Sequence, residues 1–163
     1  MRRFIVGVMG AGEGARDQDV ETALRLGELI AREGWVVLSG GRNVGVMAAV
    51  NRGAKKVDGS LTLGILPHAR AAVSEAVDVV LITDMGNARN NINVMSSDVV
   101  VACGTGGAGT ASEVALAIKA NKPVILLNAD EASRAFFLNL GGAGVATADS
   151  PESVIVKIKA IRG

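Results

Sequence analysis

Short, continuously apolar runs rich in β-branched residues recur along this chain, and longer amphipathic segments lie between them. Val99-Val100-Val101-Ala102 and Val124-Ile125-Leu126-Leu127 show no polar and apolar alternation. A strand of that kind has both faces covered, which is the condition inside a parallel sheet flanked by helices. The runs predict strands near 3–9, 35–39, 61–66, 77–83, 98–103, 123–127 and 144–147, and the intervening segments predict helices near 17–33, 43–56, 88–96, 108–120, 131–139 and 151–161. Gly34 stands where the first helix should stop, while Ser150 and Pro151 stand where an N-cap and a first helical residue open the last one. The expected fold is therefore α/β, doubly wound, with a mostly parallel, Rossmann-like sheet of about seven strands.

At 163 residues the chain is long enough for one well-packed domain spanning 1–163 and too short for two ordinary ones. A hydrophobic share of 49% is ample for a core, yet the apolar runs fall far short of the roughly 18 residues a membrane span needs. A formal net charge of +1 leaves no basic footprint for nucleic acid, and four aromatic residues, Phe4, Trp35, Phe136 and Phe137, offer no base-stacking platform. One cysteine and one histidine exclude an internal disulfide and a zinc cluster, so no protein-ligated metal is expected. Met1-Arg2-Arg3 runs straight into an apolar strand pattern with no signal-peptide h-region, and a cytoplasmic location is the default expectation.

Glycine is the outlying residue, at 21 against the about 11 to 12 that average usage would give. Many of these glycines fall at three strand-to-helix junctions: Gly10-Ala11-Gly12-Glu13-Gly14, Gly40-Gly41-Arg42-Asn43-Val44-Gly45, and Gly104-Thr105-Gly106-Gly107-Ala108-Gly109-Thr110. Any one of them could be a tight turn. Three at the carboxyl edge of one parallel sheet, where ligands of such folds bind, point to backbone approaching a ligand and to helix N–H groups facing an anion. NAD and FAD are disfavoured, because Ser39-Gly40-Gly41 stands where an acidic residue should meet the ribose. ATP hydrolysis by a phosphate loop is disfavoured as well, since Thr110 occupies the place of the lysine.

Four ordered motifs carry a family resemblance. Gly106-Gly107-Ala108-Gly109-Thr110-Ala111-Ser112-Glu113 resembles the P-G-G-x-G-T-x-x-E signature of the cytokinin-activating phosphoribohydrolases, once misnamed lysine decarboxylases. Arg89 followed by Ser97-Asp98, Gly40-Gly41-Arg42-Asn43-Val44-Gly45-Val46-Met47, and Asn121-Lys122-Pro123-Val124 with Asn128 resemble three further motifs of that superfamily. Three departures, Thr105 for the signature proline, Asn90 for the lysine after the arginine, and one extra residue between Ser97-Asp98 and the double glycine, are similar to the branch of molybdenum cofactor carrier proteins. The resemblance implies a homo-oligomer, dimer or tetramer, that binds a phosphorylated pterin, the molybdenum cofactor. It implies a site built from Gly10, Gly12, Gly40, Gly41, Asn43, Gly45, Arg89, Thr105, Gly106, Gly107, Ala108, Gly109, Thr110 and Glu113.

The alternative is a nucleoside 5′-monophosphate phosphoribohydrolase releasing free base and ribose 5-phosphate. In that case Arg89 and Glu113 would be catalytic, the carboxylate supporting an oxocarbenium-like transition state and the guanidinium holding phosphate or leaving group. Both residues also have structural readings. Thr110-Ala111-Ser112-Glu113 fits a T-x-x-E capping box, and Arg89 fits a solvated helix-start residue or an ion-pair partner. Cys103 reads as a small buried hydrophobe rather than a nucleophile, and His68 and the polar group Asp84, Asn87, Asn90 and Asn91 as residues that line the site or cap loops.

Overall fold

The computed structural model describes residues 2–163 as a seven-stranded, wholly parallel sheet with helices on both faces. The strands are β1 (Ile5–Gly10), β2 (Val36–Ser39), β3 (Thr62–Leu66), β4 (Val79–Ile82), β5 (Val99–Cys103), β6 (Val124–Leu127) and β7 (Val145–Ala148). The helices are α1 (Asp17–Arg32), α2 (Gly45–Ala54), α3 (Arg89–Met95), α4 (Ala108–Lys119), α5 (Glu131–Gly141) and α6 (Pro151–Arg162). Helix α1 ends before Gly34 with φ +72, and α6 opens on a Ser150–Ser153 capping box with Pro151 at its start, as the sequence predicts.

Alternation along the inner strands divides the core into two layers. Val6, Val8, Val99, Val101 and Cys103 point to the side of α1, α2 and α6, whereas Met9, Val100, Ala102 and Leu126 point to the side of α3, α4 and α5. The two layers account for the unbroken apolar runs of β5 and β6, each fully buried. Helices α1 and α2 lie against each other so closely that Gly27 meets the Val50 carbonyl and Gly53 meets the Leu24 carbonyl, leaving no room for a Cβ at either crossing point.

The spatial order β4-β3-β2-β1-β5-β6-β7 means that the chain winds outward from β1 to β4 and then returns to lay β5 on the other side of β1. The loops after β1 and β5 consequently leave in opposite directions and open a crevice, the usual ligand position of such sheets. Where the sequence predicts one helix over 88–96, a 3-10 turn at Gly86–Ala88 precedes α3. Helix α2 begins at Gly45 rather than near 43 because Val44 is extended and the preceding loop is tied to residues 72–74. Among the described residues no helix is long and apolar enough to cross a membrane.

Candidate functional site

A cleft of about 230 Å³ occupies the crevice between the β1, β2 and β5 ends. Its floor is β1, ending at Gly10, and its walls come from the loops after β1 and β2, the start of α3 and the start of α4. Past Asn87, Asn90 and Gly109 it is continuous with a larger, mainly apolar groove between α3 and α4. Asn90 ties the two helices together there, its Nδ2 donating to Ser112 Oγ at 3.0 Å.

Helix α4 presents its first turn to this cleft. Gly107 is the N-cap residue, extended at φ −136 and ψ 144, and no side chain caps the helix. The N–H groups of Ala108, Gly109 and Thr110 therefore have no partner within the helix, while the Ala111 N–H is already bonded to the Gly107 carbonyl at 3.0 Å. Nothing lies within 4 Å of where a Cβ would stand on Gly106, Gly107 or Gly109, so the cradle is open. Helix dipole and free donors together favour an anion at this place.

The T-x-x-E capping box does not form. Because α4 begins at Ala108, Thr110 lies inside the first turn, and Glu113 is one turn further on, facing α3. Its Oε1 accepts from Asn93 Nδ2 at 2.8 Å, and the residue is only 7% exposed. Burial pushes the Glu113 carboxyl up to about 7 against the opposing pull of the Asn93 hydrogen bond and the Arg89 charge. A carboxyl poised there can hold or release a proton near neutrality.

Arg89 is not a solvated helix-start residue either. It is half-buried, and its Nη1 donates to the Gly40 carbonyl at 2.7 Å and to the Ile65 carbonyl. Gly40 is indispensable to that seat, since a Cβ at Gly40 would collide with the guanidinium. Burial lowers the Arg89 pKa, Glu113 counters, and the like charge of Arg42 adds to the lowering, yet a guanidinium stays protonated. The cleft thus combines a fixed cation, an uncapped helix start and a neutral-range carboxyl.

Of the residues predicted from sequence, Gly10, Gly12, Gly40, Arg89, Gly107, Gly109, Thr110 and Glu113 all line this cleft. Gly41 and Gly45 serve its framework instead: Gly41, at φ +71, packs against the backbone of Gly64, and Gly45 packs against the Ala11 and Gly12 carbonyls. Asn43 is exposed, and its N–H is bonded to the Ala72 carbonyl. Ala108 borders the adjoining groove, while Thr105 and Gly106 line a separate recess with Arg16, Asp19 and Asp130. In that recess Asp130 accepts from the Ser133 N–H and hydroxyl and from Thr105 Oγ1, which hold its carboxyl down at about 2.

Cys103 is fully buried and its thiol is pushed up to about 12 by desolvation, which leaves no thiolate for nucleophilic work. His68 is exposed and lies outside the cleft, as do Asp84 and Asn91, whereas Asn87 and Asn90 are in its wall. Arg42, Glu13 and Met47 are cleft residues that sequence reasoning did not choose for the site, although Glu13 stands within the first glycine junction and Arg42 and Met47 within the motif from Gly40 to Met47. Among the described residues no three His, Cys, Asp or Glu side chains gather as a metal site requires.

Three similar proteins span most or all of the chain. A molybdenum cofactor binding protein from the phototrophic bacterium Rippkaea orientalis is 57% identical, with a TM-score of 0.96 over 100% of this chain and 99% of that one. The molybdenum cofactor carrier protein of Chlamydomonas reinhardtii is 42% identical, with a TM-score of 0.92 over 98% of both chains. An uncharacterized protein of Archaeoglobus fulgidus is 44% identical over 127 residues, 78% of this chain and 82% of its own length. The resemblance to molybdenum cofactor carriers drawn from the three departures, Thr105, Asn90 and the extra residue before the double glycine, is thus borne out along the full length. With the sequence pattern of the SLOG cluster4 family matching residues 3–155, this protein belongs to the SLOG cluster4 family.

Proposed function

We propose that this protein is a cytoplasmic carrier of the molybdenum cofactor. The cofactor's phosphate rests on the free N–H groups of Ala108, Gly109 and Thr110, with Arg89 supplying the positive charge and Gly10, Gly12 and Gly40 letting the backbone come close. The observation that carries the proposal is the uncapped start of α4, opening on a cleft with a seated arginine, in a chain similar end to end to two proteins described as molybdenum cofactor binding or carrier proteins. Gly41, Asn43 and Gly45 hold the loop that frames this site, and Thr105 and Gly106 lead into the start of α4 from the neighbouring recess. The pterin ring system extends toward Asn87 and Asn90, whose amides suit a donor and acceptor edge, and into the adjoining groove. The metal arrives with its ligand, and the protein's own residues bind, orient and shield it.

Anaerobic equilibrium dialysis against the isolated cofactor, read as pterin fluorescence after oxidation, tests this assignment. Gly107→Val introduces a branched side chain where the fold has room but the anion needs it. It should remain folded and bind at least about tenfold more weakly, the scale of one lost charge-assisted hydrogen bond. Unchanged affinity in the folded variant would remove phosphate from the α4 cradle.

One observation favours the alternative, hydrolysis of a nucleoside 5′-monophosphate: Glu113, with a carboxyl at about 7, shares the cleft with Arg89 as an acid–base group should. Incubation with AMP should release no ribose 5-phosphate. Release that is abolished in Glu113→Gln would replace the carrier with the enzyme.

Self-association into a dimer or tetramer belongs to the same proposal. The edge strand β4 shows four consecutive apolar residues to solvent, Val79, Val80, Leu81 and Ile82, with Met85 and Met95 also exposed. A second copy covering such an edge removes the unpaired strand and the apolar patch together.

A further inference from the structure

Glu113 puts an acidic side chain into a cleft that otherwise suits an anion. It lines the same space as the first turn of α4, one helical turn beyond Thr110, which leaves the two Cβ atoms about 5–6 Å apart. An ionised carboxylate there opposes any anion held by the helix start.

The surroundings of Glu113 do little to hold a negative charge. The residue is buried and joins no ion pair among the described residues. Arg89 on α3 favours its ionised form from beyond ion-pair distance, and Nη1 of that guanidinium is spent on the Gly40 and Ile65 carbonyls. Arg42 and Glu13, in the cleft wall, pair with each other at 3.2 Å. Strands β1, β5 and β6 bring no charged residue, while α5 brings Glu131, which is exposed, and Arg134, which pairs with Asp149. The other charged residue of α4 is Lys119, exposed at its far end.

The amide of Asn93 fits the neutral carboxyl better than the charged one. Asn93 is fully buried on α3; its Nδ2 donates to Glu113 Oε1 at 2.8 Å, while its Oδ1 accepts from no donor. A buried acceptor left without a partner is costly and rare. A carboxylate can only accept, whereas a carboxylic acid carries an O–H, and Glu113 is the side chain that this amide already touches.

We propose that the cleft takes up a proton together with its anionic ligand, Glu113 passing from partly ionised to neutral as the ligand binds, and that Asn93 is the positioning residue whose Oδ1 accepts the acid O–H. This inference rests on the carrier reading above, with an anion at the start of α4. Such an anion opposes the carboxylate directly and draws on the Arg89 charge that had favoured it. The two equilibria are reciprocal: the ligand raises the proton affinity of Glu113, and the proton raises the affinity for the ligand. Because the free carboxyl titrates at about 7, binding is tight on the acid side of neutrality and weakens as pH rises past that value.

Sulfate is the probe, since it stays a dianion throughout this range and a phosphate group does not. Calorimetric titration of the full chain with sodium sulfate at constant ionic strength should show affinity about tenfold lower at about pH 8.5 than at about pH 6, and buffers of different ionisation heat should reveal uptake of a fraction of a proton. Glu113→Gln, neutral throughout, should bind sulfate with an affinity that changes less than about twofold between the two pH values. Infrared difference spectra of wild type against Glu113→Gln should contain a protonated-carboxyl band that grows when sulfate is added, and Asn93→Leu should displace that band. A wild-type affinity as flat with pH as that of Glu113→Gln would overturn the proton coupling, and a band unmoved in Asn93→Leu would overturn the part given to Asn93. Sulfate that binds wild type without pH dependence and fails to bind Gly107→Val leaves the anion cradle standing and removes this inference alone. Sulfate that binds Gly107→Val as it binds wild type removes the cradle and this inference with it.

Discussion

Glu113 offers a measurable signature of the cleft that requires no ligand. Its carboxyl is raised to about 7 because burial, at 7% exposure, outweighs both the Asn93 hydrogen bond and the Arg89 charge. An unfolded glutamate titrates near 4.3–4.5. Between those values the folded state binds the proton and the unfolded state does not, so this group's contribution to stability is fully present below about pH 4.5 and is lost as pH rises through about 7. The displacement corresponds to about 3 kcal/mol, the cost of keeping the ionised carboxylate in the fold at alkaline pH. Gln keeps the acceptor for Asn93 Nδ2 and carries no charge. Glu113→Gln should therefore gain stability relative to wild type by about 3 kcal/mol between pH 5 and pH 8.5, or roughly 6–12 °C in midpoint for a chain of this size. Urea denaturation of both proteins at the two pH values reads the difference directly, and titrations shared by the two proteins cancel. A difference that stays constant within about 0.5 kcal/mol would mean that Glu113 ionises like an exposed glutamate, and the proton-holding role would be withdrawn.

Gly27→Ala sets helix propensity against packing: an exposed helix would gain about 1 kcal/mol, but here the methyl group meets the Val50 carbonyl, and a net loss of about 1–3 kcal/mol is expected in thermal unfolding. A stabilised Gly27→Ala would show that the α1–α2 contact is looser than described. Light scattering of wild type should give a multiple of 16.6 kDa, and Leu81→Lys, placing a charge on the exposed β4 edge, should shift it toward that single-chain mass; a wild type of 16.6 kDa would refute self-association.

The inner strands were legible because each is buried on both faces, which leaves an apolar run that no surface strand needs. The same logic misjudges β4. Val79-Val80-Leu81-Ile82 reads in sequence much like Val124-Ile125-Leu126-Leu127, yet the first is exposed throughout and the second fully buried. Composition records apolarity and not what covers it. The cleft shows a similar division. Glycines 10, 12, 40, 107 and 109 were found by their position after strands, but Gly41 and Gly45 look identical in sequence and pack against backbone instead. The capping-box reading failed because a T-x-x-E spacing is the same wherever the helix begins, and the extended Gly107 starts α4 two residues before Thr110. Arg42 and Glu13 were missed because what brings them together is the parallel pairing of β1 with β2, whose following loops meet at the cleft, a contact with no local signature.

Helix α4 is left uncapped at a place where capping would be easy, and that choice can be reversed. Gly107 already has the extended backbone of an N-cap residue, and nothing stands within 4 Å of its missing Cβ. Gly107→Asp should let a carboxylate accept from the N–H of Gly109 or Thr110 and place a negative charge at the helix's positive end. Capping over glycine is worth a few tenths of a kcal/mol and the charge about 0.3–1 kcal/mol, so the variant should be more stable by about 1 kcal/mol, with a midpoint roughly 2–4 °C higher. The same carboxylate occupies the donors and repels an anion, so affinity for inorganic phosphate and for the cofactor should fall well beyond tenfold, two lost contacts rather than one. Stability and binding then move in opposite directions through a single side chain, which loss of fold cannot imitate. If Gly107→Asp is stabilised and still binds phosphate as wild type does, the anion lies elsewhere in the cleft. If it is destabilised, the first turn of α4 is not free, and the N–H groups of Ala108, Gly109 and Thr110 are already committed.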